Sequence, residues 1–210
     1  MMGIELQRIE ILRRPFCDDV RRRLPEDMRL AELGAADISR IHAIALAYGE
    51  RRSHERLAAR FDHGLRHFIL EQGGEAIAWT WLAAGVPRYI DELCWSVAMA
   101  PRQAWVRDAF VAPAHRGRRL LAAMLDATAQ ALERPVEYFS DVEASNGASL
   151  RAHASAGFVP CASLRALTSP RLVLRPRPPA SLPSVDAMKP SRRLLWLDRD
   201  ERDWHRAQIA

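Results

Sequence analysis

Hydrophobic residues follow two different periods along this chain, and the two periods predict alternating strands and helices. Period-two alternation and short β-branched or aromatic runs predict strands at residues 29–33, 65–71, 76–83, 89–99, 104–111, 136–142, 158–167 and 172–174. Apolar spacings of three and four predict helices at residues 36–48, 53–62, 148–156 and from Leu120 onward. Residues 4–14 fit a strand or a helix equally well. This order predicts a mixed α/β layer fold with an antiparallel meander before the helix at Leu120.

Residues 105–126 form the stretch around which the rest is organised. A buried strand ends at Pro113, which has no N–H to donate, and a cationic turn at residues 115–119 leads into the helix. The first N–H groups of a helix lack partners within it and carry partial positive charge. The turn is therefore expected to favour a phosphate group, with solvated surface arginines as the alternative interpretation.

The segment VAPAHRGRRLLAAML carries a resemblance to a known family. It resembles the acyl-CoA-binding segment of the GNAT superfamily of acyltransferases, whose turn follows the pattern Q/R-x-x-G-x-G/A. Arg116 occupies the first position. Arg119 stands where glycine is usual, and Leu121 stands where glycine or alanine is usual.

A second segment, VEASNGASLRAHASAGF, is similar to the later part of the same superfamily. Asn146, Ser149, Gly157 and Phe158 fall on its matching positions, and the two segments have the family's order and roughly its separation. The resemblance covers about residues 29–167. It implies a GNAT-like mixed, mostly antiparallel sheet flanked by helices, with acetyl-CoA or another acyl-CoA as the cofactor.

The turn supplies the expected grip on the pyrophosphate. The residues expected there are Arg116, Gly117, Arg118, Arg119, Leu120 and Leu121. Backbone N–H groups would hold the phosphates, the arginines would add charge, and the glycine would let the chain approach closely. The side chain at position 119 would either contact a phosphate or crowd the site.

The resemblance also places residues along the pantetheine arm of the cofactor. It implies that the backbone of Phe110 and Val111 pairs with the arm as an added strand would, with a purely core role for both side chains as the other reading. Asn146 is expected to cap the short helix after it and, with Ser149, to lie beside the arm.

Four side chains are candidates for proton transfer. Asp108 is a carboxylate inside an apolar strand, so it is either a base or one half of a buried ion pair. Glu92 on the preceding predicted strand is the second choice, and Glu143 is expected to cap a turn. His153 stands where the superfamily usually has tyrosine. An imidazole with a pKa near ~6.5 would protonate the thiolate or take the amine's proton, unless it is only a surface residue.

Composition narrows the class of protein. The chain has 210 residues, of which 49% are hydrophobic and 27% charged, as expected for a soluble globular protein with one core. The apolar run at residues 76–86 is interrupted by Thr80 and Gly85, so no membrane span is expected. Glu5 and Glu10 interrupt the region where a signal peptide would be apolar, and this predicts a protein without one.

Charge and cysteine content point to the cytoplasm and a small anionic ligand. The formal charge is +5, and Lys189 is the only lysine. Basic residues are not interleaved with aromatic ones, so nucleic-acid binding is not expected. Cys17, Cys94 and Cys161 are widely spaced and odd in number, which argues against disulfides and a zinc site.

The sequence predicts three regions: an acyltransferase domain at residues 1–174, a proline-rich linker at 175–190, and a tail at 191–210 that docks on the body or forms a homodimer. The predicted reaction moves an acetyl or other acyl group from acyl-CoA to a small-molecule amine by direct transfer in a ternary complex. The alternatives are a long-chain acyl carrier or sugar amine, as in surface-polysaccharide synthesis, and a binding module without chemistry.

Overall fold

A computed structural model describes residues 5–16, 24–90, 93–132, 136–169, 172–174 and 176–187. Its strands are β1 (Glu5–Arg14), β2 (Met28–Leu33), β3 (Arg66–Gln72), β4 (Glu75–Ala84), β5 (Arg88–Ile90), β6 (Trp95–Val97), β7 (Gln103–Val111), β8 (Glu137–Glu143), β9 (Val159–Ser169), β10 (Leu172–Leu174) and β11 (Val185–Ala187). Its helices are α1 (Ile38–Ala47), α2 (His54–Asp62), α3 (Leu120–Ala131) and α4 (Gly147–Ser155). Most predicted elements are therefore present within a residue or two.

Eight of these strands form one sheet in the order β10-β9-β1-β8-β7-β4-β3-β2. β7 and β8 pair in parallel, and all other neighbours in this sheet are antiparallel. The α3 helix connects the two parallel strands, because parallel neighbours need a crossover. The predicted class, a mixed and mostly antiparallel sheet flanked by helices, is confirmed.

The sheet has a different hydrophobic core on each face. The face we call the α1–α2 face buries large residues against α1, α2 and β5–β6, including Trp79, Trp105 and Phe110. The face we call the α3–α4 face buries Tyr138, Met124 and the remainder of the second core. A central strand buried on both sides explains why the middle of the sequence reads as nearly continuous apolar runs.

The ambiguous N-terminal segment is a strand. β1 lies between β8 and β9 and pairs antiparallel with both. Ile9 and Ile11 lie in the core of the α1–α2 face, and Leu12 lies in that of the α3–α4 face. Tertiary pairing on both edges decides the conformation here, which local periodicity could not do.

The prediction of a single strand at residues 89–99 is wrong. The chain instead forms β5 and β6, which pair with each other in a second, three-stranded sheet. Cys94 has φ +47°, a left-handed conformation that breaks the extended run. β4 consequently pairs directly with β7, and the meander of the large sheet skips this segment.

The third strand of the small sheet comes from the region predicted to be a linker. β11 pairs with β6, and Leu182 and Val185 pack against the core of the α1–α2 face. Part of residues 175–190 is thus built into the fold. The predicted tail at residues 191–210, with its proposed role in a homodimer, lies outside the described residues.

Candidate active site

β7 and β8 separate partway along their length. Their parallel pairing runs only from Gln103 opposite Glu137 to Val106 opposite Ser140. Beyond that point β7 remains paired with β4 at residues 107–111, and β8 remains paired with β1. Within the described residues, the edge of β7 that faces β8 has no strand beside it after Val106. The sheet therefore opens into a cleft between its two central strands.

A β-bulge at Asp108 marks the opening. The β4–β7 register shifts between Trp79 and Trp81, and Asp108 has φ +50°, which is uncommon for a residue other than glycine. Its carboxylate receives Arg52 Nη1 at 2.9 Å and lies 2.7 Å from Arg60 Nη2. The ion pair left open by the sequence analysis is present, and it ties the bulge to the α1–α2 region.

The pleat of β7 sorts its backbone groups between the two sides. Ala112 N–H donates to Ile77 O on β4, so Phe110, two residues earlier, also turns its backbone toward β4. Val111 turns its backbone toward the cleft, where its carbonyl accepts a hydrogen bond from Arg116 Nε at 3.1 Å. The Phe110 ring stacks on Trp79 with centroids 4.2 Å apart. Of the two predicted arm-binding residues, Val111 thus presents backbone groups to the cleft, and Phe110 is core.

The start of α3 lies directly after this open edge. The backbone N–H groups of residues 117–122 make no hydrogen bond to any other part of the described chain. The first bond of the helix is donated by Ala123 to Arg119 O. Six successive donors and the positive end of the helix dipole together make an anion-binding concavity.

Two left-handed residues shape the turn before α3. Gly117 has φ +79° and Arg119 has φ +58°. No atom lies within 4 Å of a Cβ built on Gly117, so glycine is required there by conformation and not by space. Arg119 adopts the same region with a side chain, which accounts for the glycine usual at its position.

The other residues of the predicted grip are arranged around those amides. Arg118 donates through Nη1 to Gln72 at 3.2 Å and to His115 at 2.8 Å. Leu120 and Leu121 are buried in the core of the α3–α4 face, so only their backbone is available to a ligand. The side chains thus leave the helix start open, and its anion-binding capacity rests on amides.

The α4 segment brings a buried histidine to the end of the paired strands. Asn146 caps α4 by accepting from Ser149 N–H at 2.9 Å, as predicted. His153 Nδ1 lies 2.9 Å from Ser149 O and must donate to it, because a carbonyl only accepts. Nε2 then accepts from the hydroxyl of Ser140, 3.0 Å away. Burial lowers the pKa of His153, so the ring is neutral near pH 7.

Asp141 is a candidate site residue that sequence reasoning missed. It follows Ser140, the last β8 residue paired with β7, and its side chain turns to the α1–α2 face. Trp105 Nε1 donates to it at 2.5 Å, and Arg88 Nη2 lies 3.4 Å away. A carboxylate within the strand YFSDVE is the same signal that identified Asp108, and it could have been used here.

The remaining carboxylate candidates lie apart from this arrangement. Glu92 lies outside the described residues, so its predicted role stays a prediction. Glu143 is exposed, and its carbonyl accepts from Asn146 N–H in the turn before α4. In the described part of the chain no three His, Cys, Asp or Glu side chains group as metal ligands would. Nor does any helix there have the length and apolar character needed to cross a membrane.

A buried charged cluster lies beside the bulge on the α1–α2 face. It consists of Glu50, Arg52, Arg60 and Asp108, with Arg52 paired to both acids. His67 is 2% exposed and stacks on Trp81 with centroids 4.4 Å apart. Burial, reinforced by the positive charges of Arg60 and Arg52, lowers the pKa of His67 from 6.5 to about 3.

Comparison with known proteins identifies the family. The model of the acetyltransferase (GNAT) family matches residues 36–158, which span both halves of the cleft. The chain therefore belongs to the GNAT acetyltransferase family. No curated protein sequence matches it significantly.

Solved structures share the fold at low identity. A GCN5-related N-acetyltransferase from Kribbella flavida superposes with a TM-score of 0.51 at 16% identity, over 80% of this chain and 60% of its own. A GNAT-family acetyltransferase from Colwellia psychrerythraea gives 0.50 at 17%, over 80% and 57%. A GNAT-family acetyltransferase from Novosphingobium aromaticivorans gives 0.49 at 20%, over 79% and 66%. The chain thus spans less than two thirds of the length of each of these structures.

Replacing Gly117 tests the amide turn. Gly117→Ala forces an L-residue into φ +79° at a cost of about 1–2 kcal/mol, which the turn will relieve by rotating its amides. We expect affinity for acetyl-CoA to fall roughly tenfold, since that energy corresponds to about a tenfold change in binding. Isothermal titration calorimetry measures it. Gly34→Ala is the matched control, because Gly34 has an ordinary φ and open space around it. Equal affinities for the two variants would contradict the assignment of this turn as the phosphate-binding site.

His67 predicts a specific loss of stability in acid. The pKa of His67 is lower in the folded state than in the unfolded chain. Its contribution to the free energy of unfolding is therefore complete above pH 6.5 and is lost as the pH falls toward 3. From pH 7 to pH 5 the loss is about 2 kcal/mol for this group. Urea unfolding at both values should show a smaller pH effect in His67→Phe, and no change in the exposed control His63→Phe. Parallel pH dependence in wild type and His67→Phe would refute the buried neutral state.

Proposed function

We propose that the protein transfers an acetyl or other acyl group from acyl-CoA directly to a small-molecule amine within a ternary complex. The observation that carries the proposal is the row of backbone donors at residues 117–122, placed directly after the open edge of β7. The donors suit a diphosphate, and the edge suits an extended arm that pairs as a strand would.

We place both parts of such a ligand in the cleft between β7 and β8. With its diphosphate at the start of α3, the arm runs back along β7 and pairs with the backbone of Val111. Arg116 then releases the Val111 carbonyl and places its guanidinium near the phosphates. The thioester end reaches the point where β7 and β8 rejoin, between Val106 and Ser140.

Direct transfer is supported by the positions of the described cysteines. Cys94 is fully buried in the small sheet region. Cys161 is on β9, and burial raises the pKa of its thiol, which disfavours the nucleophilic thiolate. Neither residue lies on the strands that border the cleft, so neither is placed to carry an acyl group.

His153 and Ser140 provide a route for the proton released by the amine. The amine attacks the thioester carbon, a C–N bond forms and the C–S bond breaks. Ser140 accepts the proton from the nitrogen as its own proton passes to His153 Nε2, which is 3.0 Å from the hydroxyl. The imidazolium returns the proton through Ser140 to the departing thiolate, so the products are the amide and the free thiol. Ser149 O holds the ring in the required tautomer.

A carboxylate on the α1–α2 face removes the first proton from the incoming ammonium. Asp108 remains the predicted base, although Arg52, Arg60 and Arg107 all lie within ion-pair distance of it. Asp141 is the second candidate because it adjoins Ser140 and is partly exposed. Both carboxylates lie on the α1–α2 face, opposite α3 and α4.

A binding module without chemistry is the second candidate function. It is favoured by the hydrogen bonds that engage both ring nitrogens of His153 and by the buried leucine at position 121. Thermal-shift titration with acetyl-CoA and decanoyl-CoA, followed by thiol release with a panel of amines, separates the possibilities. Thiol release would support the acyltransferase function, and the donor that reacts faster would identify the length of the acyl chain. Stabilisation without thiol release on any amine favours the binding module, and no stabilisation would contradict both.

Two substitutions test the proposed proton route. His153→Ala should lower turnover by roughly 100-fold, the usual size of an acid–base contribution, with little change in acetyl-CoA affinity, and Asp108→Asn should lower turnover at least as much. Initial rates of thiol release and calorimetric titration give the two quantities. His63→Ala and Asp62→Asn are matched controls, because both residues are exposed on or beside α2. Wild-type turnover in either site variant would remove that residue from the mechanism.

A further inference from the structure

The small sheet buries polar donors for which the described chain offers no acceptor. Arg88 is 5% exposed, and its Nε and Nη1 have no hydrogen-bond partner. Trp95 is fully buried, and its Nε1 also has none. Native proteins satisfy nearly all such groups, and unpaired buried donors carry a large penalty. Three such nitrogens in one small element indicate that an acceptor other than the described residues belongs there.

Strand register puts these donors on one side of the small sheet. Arg88 is opposite Val97 and Ile90 is opposite Trp95, so Arg88 and Trp95 project from the same face as diagonal neighbours. All four residues are buried. Tyr89 and Ser96 form the other face and are less buried. The side chains of Arg88 and Trp95 therefore lie on the same, buried side of the small sheet, from which Arg88 reaches Asp141 on β8.

The same face contacts the cleft through Asp141. Arg88 Nη2 lies 3.4 and 3.5 Å from the two oxygens of Asp141, long contacts that leave the carboxylate available to another cation. Trp105 Nε1 fixes the orientation of the carboxylate at 2.5 Å. Asp141 is in turn the residue next to Ser140, where the paired part of β7 and β8 ends.

We propose that Arg88, Trp95 and Asp141 form the acceptor subsite, and that the acceptor is an α-amino acid. Its ammonium binds Asp141 and its carboxylate binds the unpaired nitrogens of Arg88 and Trp95. The ligand's two charged groups must be neighbours, because Arg88 already lies within 3.5 Å of Asp141. This inference rests on the proposed function, since the subsite adjoins the point where the acyl group would end.

Matched acceptors test the carboxylate requirement on the full chain. The set is tyrosine, tyrosinamide and tyramine, with leucine, leucinamide and isoamylamine as a second set. Thiol release from acetyl-CoA should favour each amino acid over its amide and amine by roughly 10- to 100-fold in kcat/KM, the value of a charged hydrogen bond. Equal rates within each set would overturn the proposal while leaving the acyltransferase function intact.

Substitution of Arg88 tests whether this residue causes the preference for amino acids. Arg88→Met should raise the acceptor KM for amino acids roughly 10- to 100-fold, leave acetyl-CoA KM unchanged and abolish the preference over amides. Its melting temperature is measured as well, because the change removes the contact between Arg88 Nη2 and Asp141 along with the unpaired donors. Arg66→Met is the control, since Arg66 pairs with Glu32 at the surface. An unchanged preference in Arg88→Met would overturn the proposal.

A second variant, Trp95→Phe, and a direct measurement of amino-acid binding test the subsite independently of Arg88→Met. Trp95→Phe keeps an aromatic side chain and removes the Nε1 donor together with part of the indole volume, so it should weaken amino-acid binding several-fold even if Arg88→Met does not fold. Calorimetry of each amino acid and amide in the presence of CoA measures the subsite without turnover. If no amine supports thiol release, the proposed function fails, yet selective binding of amino acids would still support the subsite. Absence of selective binding in wild type would refute it.

Discussion

The structure depends on a strand edge that is left open. β7 and β8 pair over Gln103–Val106 and Glu137–Ser140 and then separate, although continued pairing would satisfy more backbone groups. The bulge at Asp108 accompanies the separation, and the ion pairs from Arg52 and Arg60 hold it. Burying this much charge adds little or nothing to net stability. Its contribution is geometric: it fixes a left-handed aspartate in a strand and so keeps the neighbouring backbone turned toward the cleft.

The two faces of the sheet divide the proposed chemistry between them. On the α3–α4 face, the backbone amides at the start of α3 are available to an anion. On the same face His153 accepts a hydrogen bond from Ser140, and burial lowers the pKa of its imidazole. On the α1–α2 face, Asp141 and the small sheet present a carboxylate and unpaired donors to an acceptor. Asp141 and Ser140, one from each set, are adjacent residues where the pairing of β7 and β8 ends. An amine and a thioester arriving from opposite faces would therefore be brought together without a moving part.

The sequence predicted the fold class and the cofactor side of the site better than the acceptor side. Helical spacing and the Asn146 cap are local signals, and the elements that they predicted are present. The N-terminal strand and the split of residues 89–99 depend on pairing with distant segments, so no local period encodes them. The partners of Asp108 come from the region of α1 and α2, and the environment of Arg88 depends on β8. The partners of such charged residues are set by the tertiary fold, so the local sequence does not reveal them.

Hydrogen exchange of the backbone amides, with and without acetyl-CoA, tests the central claim most directly. The N–H groups of residues 117–122 lack partners within the described chain, so they should exchange rapidly in the free protein. The account predicts that the ligand slows exchange there and at Val111, while the core amides of β3 and β4 are unaffected. Protection confined to other segments, or slow exchange of residues 117–122 before any ligand is added, would contradict it.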